Sequence, residues 1–161
     1  MTKYRWIFIL INLLLLLFFF NSSIVKKEQL QSDGKLILLE LAPVDPRSLM
    51  QGDYMRLSYK IAQNLPFDSI PKRGYCVVKL QPNSVAEKVR LQKGRTPLND
   101  NEYIIEYTSA KFNLNIGAES YFLQEGEAAK FEKAKYGGVK VDIKGNSLLV
   151  GLYNDQLQLI K

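Results

Sequence analysis

Histidine is absent from the 161-residue chain, and cysteine occurs only once, at Cys76. Without histidine the chain cannot build a Ser-His-Asp triad, a Cys-His dyad or a histidine-ligated zinc site from its own residues. A single cysteine also excludes an intrachain disulfide framework. We therefore predict no catalytic residue, no metal site and no cofactor, and we expect Cys76 to be a small buried residue within a strand.

The sequence also lacks a basic patch, although its formal net charge is +6. Four of the cations, Lys3, Arg5, Lys26 and Lys27, flank the apolar N-terminal segment, and every acidic residue follows Lys27. The remainder of the chain is therefore nearly neutral and carries both signs of charge. This distribution argues against nucleic-acid binding.

One long apolar run dominates the N-terminus. Residues 6–20 are apolar except for Asn12, and flanking apolar residues extend the segment. The extended segment reaches about 20 residues, which is enough to cross a bilayer as a helix. The Asn-Ser-Ser sequence at 21–23 is a poor cleavage site, so we favour an uncleaved anchor over a signal peptide. Asn12 either bonds within its own helix or contacts another membrane helix.

Basic residues lie at both ends of this run, so the positive-inside rule is nearly balanced. We place the N-terminus in the cytoplasm, because a short tail before a first apolar segment usually stays inside. The expected organisation is a single-pass protein with an anchor at 1–25, a juxtamembrane linker at 26–34 and an extracytoplasmic β-rich domain at 35–161.

Short apolar or alternating segments separated by turn residues predict a mainly β (β-rich α+β) domain. We expect a small barrel-like or half-closed antiparallel sheet, because closure removes exposed strand edges. Acids cluster at the start and lysines at the end of 125–135, which predicts one short helix. The predicted strands are 35–41, 54–61, 75–80, 85–91, 102–108, 120–123, 139–143, 147–152 and an edge segment at 156–160.

The most unusual chemistry lies between the first two predicted strands. Asp45 precedes Pro46 and is well placed to cap a helical turn that includes Arg47. Gly52 can take the positive φ needed to enter the next strand. Asp53 needs a partner if it is buried, and turn amides or an arginine could supply one. The alternative for this cluster is a site for a cation or a peptide terminus.

The segment that follows Gly52 alternates, so two faces can be assigned. We expect Tyr54 and Tyr59 to lie on opposite faces and to pack with their hydroxyls at the rim, or else to line a recognition groove. The face that includes Tyr59 carries Asp53, Met55, Leu57 and Ile61, and the opposite face carries Tyr54, Arg56, Ser58 and Lys60.

Residues 52–59 read G-D-Y-x-x-L-x-Y without departure. Together with the lead-in P-x-D-P-R-x-L at 43–49 and the sequence YFLQEG at 121–126, this string resembles the GDYXXLXY family of bacterial membrane-anchored proteins of unassigned function. The resemblance implies a place in the bacterial cytoplasmic membrane and an integral, multi-spanning membrane protein as partner. It also makes Asp45, Pro46, Arg47, Gly52, Asp53, Tyr54, Leu57 and Tyr59 the motif residues for folding or partner binding.

Three functions stay open at this point. The first is a non-catalytic interaction or accessory subunit of an integral membrane protein, held in the lipid bilayer. The second is a Ser-Lys membrane hydrolase, because the layout resembles that of type I signal peptidases. Against it, Val44 stands where that family has its serine, and Ser48 lies only four residues before Gly52. The third is a β domain that binds a small ligand or a lipid.

Overall fold

The computed structural model of the protein describes residues 2–42, 54–63, 65, 70–110, 113–124 and 127–160. Within these residues a long helix, α1 (Thr2–Asp33), precedes nine strands and a second, short helix, α2 (Ala128–Phe131). A 3₁₀ turn at Lys60–Ala62 follows the second strand. The strands are β1 (Lys35–Glu40), β2 (Tyr54–Arg56), β3 (Arg73–Leu80), β4 (Val85–Gln92), β5 (Glu102–Ala110), β6 (Asn113–Asn115), β7 (Ser120–Phe122), β8 (Tyr136–Val141) and β9 (Ser147–Tyr153).

Helix α1 is continuous over 32 residues. At about 1.5 Å of rise per residue this corresponds to about 48 Å. From Tyr4 to Asp33 it is long and apolar enough to cross a membrane, a property that signal sequences share, and none of its most apolar stretch is buried within the protein. Residues 26–33, which the sequence analysis assigns to a linker, are helical, and Gly34 alone separates the helix from β1.

Seven strands form one sheet in the order β6-β5-β3-β4-β1-β8-β9, and β2 and β7 form a separate pair. The predicted hairpins β3–β4 and β8–β9 are present. The sheet is mixed rather than wholly antiparallel as predicted, because β1 and β4 run parallel. A parallel pair needs a long connection, and the chain between Glu40 and Val85 supplies it.

The sheet curls into a half-barrel, which confirms the predicted fold class. The curl brings the turn between β8 and β9 against β5, where the Glu106 backbone N–H donates to the Gly145 carbonyl oxygen at 2.7 Å. The Ser147 hydroxyl also donates to the carbonyl oxygen of Ile116, just beyond β6. These two bonds join the ends of the sheet across its concave side.

The concave side holds the core. Strand β1 has a neighbour on each side, and its central residues Ile37, Leu38 and Leu39 are buried, as its continuous apolar run predicts. The core also includes buried residues from most other strands, among them Cys76, Val78, Ile105, Tyr107, Val139 and Leu152. The strongly apolar segments of the sequence are therefore those that lie deepest in the sheet.

The helix predicted at 125–135 is wrong in length. Residues 125–126 lie outside the described part, and helix α2 ends at Phe131, whose ring packs edge-on against Tyr121 at 5.2 Å between centroids. The chain then joins the sheet, because the Lys135 N–H donates to the Tyr153 carbonyl and the Lys135 carbonyl accepts from the Leu41 N–H. Those bonds compete with helical ones and end the helix.

Some strand assignments also differ from prediction. Strand β8 starts at Tyr136, so its two glycines belong to the sheet rather than to a helix end. Strand β6 was not predicted from the sequence. The edge strand predicted at 156–160 is a turn with one bridge between Tyr153 and Leu159, because the Asn154 carboxamide oxygen accepts the N–H groups of Gln156 and Gln158.

Candidate functional site

The motif at residues 52–59 enters the described structure at Tyr54, where β2 begins. Strand β2 pairs antiparallel with β7, with Tyr54 opposite Phe122 and Met55 opposite Tyr121. Of the predicted site residues, the structure describes the backbone of Tyr54 and all of Leu57 and Tyr59. The others lie outside the described residues, as does the hydrolase candidate Ser48; they are Asp45, Pro46, Arg47, Gly52 and Asp53.

The predicted alternation is confirmed for the described side chains at 55–61, whereas those of Asp53 and Tyr54 lie outside the described part. Met55, Leu57, Tyr59 and Ile61 are all at most 5% exposed, whereas Arg56 and Lys60 are exposed. The strand itself ends at Arg56, earlier than predicted, and the chain turns into the 3₁₀ turn at Lys60. The alternation of buried and exposed side chains continues beyond the end of β2, because the backbone stays extended as far as Tyr59 and forms hydrogen bonds with other segments.

Those partners tie the motif to two distant segments. The Leu57 N–H donates to the Glu119 carbonyl oxygen at 2.7 Å, and the Ser58 carbonyl accepts from the Ala42 N–H at 2.8 Å. Leu41 and Tyr59 form an isolated antiparallel bridge. The motif therefore lies between the end of β1 and the segment before β7, where it serves as a spacer with its apolar side chains turned inward.

Tyr59 is the most deeply placed side chain of the motif. Its hydroxyl donates to the carbonyl oxygen of Ala118 at 2.5 Å. Its ring lies over Gly137 of β8, where an added Cβ would stand 2.9 Å from the ring atom Cε1. The prediction that this hydroxyl lies at the rim is wrong, because Tyr59 is only 2% exposed. Because Gly137 has no side chain, the ring of Tyr59 can occupy the space above its backbone.

The environment of Tyr59 suits packing and not proton transfer. Burial raises the pKa of its phenol far above the usual range, and the negative charge of Glu119 adds to that shift. A phenol with a raised pKa donates a hydrogen bond and is a poor base near neutrality. The described part of the motif thus contributes packing and hydrogen bonds to the fold.

A second buried tyrosine lies at the other side of the core. Tyr107 is 1% exposed, and neither its hydroxyl nor the Nε2 of Gln92 has a hydrogen-bond partner among the described residues. An added Cβ at Gly74 would stand 2.8 Å from the Tyr107 hydroxyl and 2.8 Å from the Gln92 carbonyl oxygen. Burial raises the pKa of Tyr107 as well. Gly74 in β3 therefore leaves the space that the Tyr107 hydroxyl occupies.

The single cysteine lies in β3 and is fully buried, as expected. Burial raises the pKa of the Cys76 thiol to about 12, so the reactive thiolate is scarce at neutral pH. Among the described residues, no group of three or more Cys, Asp or Glu side chains is placed to hold a metal ion.

An ion pair that was not predicted from the sequence joins β4 to β5. The Arg90 guanidinium donates to both carboxylate oxygens of Glu102, at 2.8 and 2.9 Å, and to the Pro97 carbonyl oxygen at 2.8 Å. Glu102 also accepts hydrogen bonds from the backbone N–H and the side-chain amide of Asn99. The Arg90 guanidinium, and to a smaller extent these two bonds, lower the pKa of Glu102 to about 2. This cluster fastens the loop before β5. Strands β4 and β5 each pair with β3, one on either side, and this arrangement brings Arg90 and Glu102 together.

A groove of about 1110 Å³ lies between the last turns of α1 and the sheet. We call it the helix–sheet groove. Lys26 and Lys27 line it on the helix side, and Ile143 and Lys144, in the turn between β8 and β9, line it on the sheet side. It was not foreseen from the sequence, because it depends on how the helix meets the strands.

Comparison with known proteins gives one match. A family model described as GDYXXLXY protein matches residues 16–152, which covers the second part of α1 and the sheet through most of β9. The chain matches no curated protein and no solved structure.

Proposed function

Because the chain belongs to the GDYXXLXY family, whose function is unassigned, we propose a role from its own chemistry: a non-catalytic accessory subunit of an integral membrane protein. Helix α1 anchors it in a bacterial cytoplasmic membrane, and the β domain lies on the extracytoplasmic side. The partner is a multi-spanning protein that contacts α1 within the bilayer.

The proposal rests on the exposed side-chain amide of Asn12. It lies exposed within the apolar part of α1, and no described residue hydrogen-bonds its side-chain amide. An amide without a partner in hydrocarbon is unfavourable, and polar residues of membrane helices commonly bond across to a neighbouring helix. A partner helix would satisfy Asn12 and cover the apolar residues beside it.

The β domain supports a non-catalytic role. The family string places Leu57 and Tyr59 in the core, where they stabilise the fold and do not face a substrate. The Cys76 thiol is buried and protonated at neutral pH. The described part of the motif thus supports a rigid body held next to the membrane, and the helix is the element left to select a partner.

Site-specific photocrosslinking in native membranes tests the proposal. Successive helix residues are 100° apart, so Leu16 shares the face of Asn12, whereas Leu14 lies on the opposite face. We expect a benzophenone amino acid at position 16 to form one discrete adduct with an integral membrane protein. The same probe at position 14, equally free of contacts within the protein, is the matched control and should react with lipid alone.

Substitution of Asn12 by leucine should reduce the adduct at position 16 several-fold without removing the chain from the membrane. Equal adducts from both faces, or none from either, would contradict a subunit held through α1. An adduct made only with a second copy of the chain would replace the proposed partner by a homodimer. Protease protection of the β domain in intact spheroplasts would overturn the proposed orientation.

A further inference from the structure

The end of α1 is fixed to the sheet and does not swing freely. The Lys140 ammonium on β8 donates to the carbonyl oxygens of Gln31 and Ser32 in the last turn of the helix. A cation at this position also complements the negative end of the helix dipole. Leu30 is 8% exposed, and an added Cβ at Gly34 would stand 3.0 Å from the Lys140 Cβ. The helix and the sheet are therefore one unit.

This junction sets the distance between the sheet and the bilayer. From Val25, the last residue of the apolar segment, to the buried Leu30, the helix rises about 7.5 Å. The polar layer on each side of a bilayer's hydrocarbon core is about 5–8 Å thick. Lys26 and Lys27 therefore lie at the level of lipid headgroups when α1 spans a bilayer, and so does the helix-side wall of the helix–sheet groove.

The facing wall of the groove carries an exposed apolar residue on a rigid support. Ile143 is 91% exposed at the tip of the turn between β8 and β9. The Asp142 carboxylate accepts the backbone N–H groups of Lys144 and Asn146, and the Gly145 carbonyl accepts from Glu106. A fully exposed isoleucine on a well-bonded turn is unfavourable in water, because it leaves apolar surface hydrated.

The charges around this tip favour an anionic occupant. The groove is lined by five cations, Lys26, Lys27, Lys35, Arg73 and Lys144, none of which makes an ion pair with a described residue. Four acids also line it, and one of them, Glu102, is neutralised by Arg90. The carboxylates of Asp33, Glu106 and Asp142 remain against five lysine and arginine side chains, so the lining keeps an excess of positive charge.

From these observations we propose that the turn between β8 and β9 is a second membrane contact. Ile143 enters the interfacial layer of the bilayer, and Lys26, Lys27 and Lys144 bind the phosphates of anionic phospholipids in the helix–sheet groove. The inference rests on the anchoring of α1 that the proposed function requires. It adds that the β domain lies against the lipid surface in one fixed orientation.

Depth-dependent fluorescence quenching in vesicles tests this contact. The full chain carrying Ile143→Cys is labelled with an environment-sensitive nitrobenzoxadiazole dye, since the buried Cys76 does not compete. It is reconstituted into phosphatidylcholine, or into an equal mixture of phosphatidylcholine and phosphatidylglycerol, with spin-labelled lipids. We expect blue-shifted emission and strong quenching by interfacial spin labels in the anionic vesicles, and weaker effects in phosphatidylcholine alone.

The matched control is Gln156→Cys, an exposed position in the turn after β9. That turn lies at the opposite end of the β8–β9 hairpin from Ile143, because Tyr136 pairs with Tyr153 and Val141 with Ser147. Its dye should stay water-exposed in both kinds of vesicle. Equal emission and quenching at positions 143 and 156 would overturn the proposal.

Lys144→Gln, with the dye at position 143, tests the electrostatic part. A lysine near an anionic surface is worth about 1 kcal/mol, so the ratio of inserted to water-exposed turn should fall about five-fold. The difference should vanish in roughly 1 M salt, where the Debye length is about 3 Å. An unchanged ratio in Lys144→Gln would show that headgroup binding is not the cause.

Alkaline extraction of the same vesicles separates this inference from the proposed function. If the chain stays in the vesicles while the dye at position 143 remains water-exposed, the anchor stands and the second contact is wrong. If the chain is extracted, the anchor fails and the inference fails with it. Because these vesicles contain no other protein, insertion of the turn cannot be due to a membrane partner.

Discussion

The phenol of Tyr59 donates a hydrogen bond to the Ala118 carbonyl oxygen, 59 residues further along the chain. The bond connects the last residue of the family string to the segment just before β7. Since the neighbouring Leu57 N–H bonds to Glu119, two consecutive inward-facing residues of the motif hold that segment in place. The motif therefore positions a distant part of the fold.

Removing this hydroxyl should destabilise the protein. Tyr59→Phe keeps the ring but leaves the buried Ala118 carbonyl without its donor, which costs about 1–3 kcal/mol. Chemical denaturation of the full chain in detergent micelles, followed by far-UV circular dichroism, measures the loss. Tyr107→Phe is the matched control, because that hydroxyl has no partner to lose in the part of the chain that the structure describes. We expect Tyr107→Phe to be neutral or stabilising, and equal losses in the two variants would contradict the assignment.

Filling the space at Gly137 should have a similar cost for a different reason. In Gly137→Ala the new methyl group meets the Tyr59 ring at 2.9 Å. Overpacking of a well-filled core typically costs about 1–3 kcal/mol. Gly94→Ala, in an exposed loop where the nearest atom is 3.6 Å away, is the control and should be close to neutral. The same denaturation measurement compares them. A Gly137→Ala protein as stable as Gly94→Ala would refute the contact.

The alternation of the motif could be read directly from its sequence, because a period of two decides which side chains face a core. The broader reading of short apolar or alternating runs between turn residues located β1, β3, β4, β5 and β9. It failed for the start of β8, where Gly137 and Gly138 look like a helix end. Those glycines belong to a strand because aromatic rings from elsewhere, such as that of Tyr59, occupy the space above them. Nothing local to the sequence reveals that space.

Stability in acid should depend on Glu102. Its pKa is lowered from 4.5 to about 2 by the Arg90 guanidinium and by Asn99, so its carboxylate stabilises the folded state above its ordinary pKa. That contribution is lost as the pH falls from about 4.5 through about 2. In Glu102→Gln the free energy of unfolding should therefore fall less steeply over this window than in the wild type.

Glu87→Gln is the control for this pH dependence, because it removes the same charge from an exposed position of β4. Its unfolding free energy should follow the wild-type profile. The free energy of unfolding is measured with denaturant at a series of pH values between neutrality and the lowered pKa of Glu102, about 2. Parallel profiles for Glu102→Gln and the wild type would contradict a native role for the ion pair.

The Cys76 thiol should react only when the sheet opens. It is fully buried, and its pKa of about 12 leaves little thiolate at neutral pH. Labelling with a thiol reagent should be slow in the native protein and should accelerate with denaturant in step with global unfolding. The control is an engineered Ile143→Cys thiol, which is exposed and should be labelled immediately under the same conditions. Fast native labelling of Cys76 would show that the sheet opens around β3 without global unfolding.

The topology and the ion pair share one reason for escaping prediction. The parallel pairing of β1 with β4 and the meeting of Arg90 with Glu102 both depend on which strands become neighbours. Strand order is set by contacts far apart in sequence, whereas hydropathy patterns report each segment alone.

The direct junction of α1 and β1 has a mechanical consequence. Gly34 alone separates them, and β1 is bonded along its length to β8 and, over part of it, to β4. Tension along the strand loads its roughly perpendicular hydrogen bonds together, in shear, rather than opening them one after another. A pull on α1 would therefore reach the middle of the sheet at once, where resistance to rupture is greatest, and the β domain would follow α1 as a rigid body.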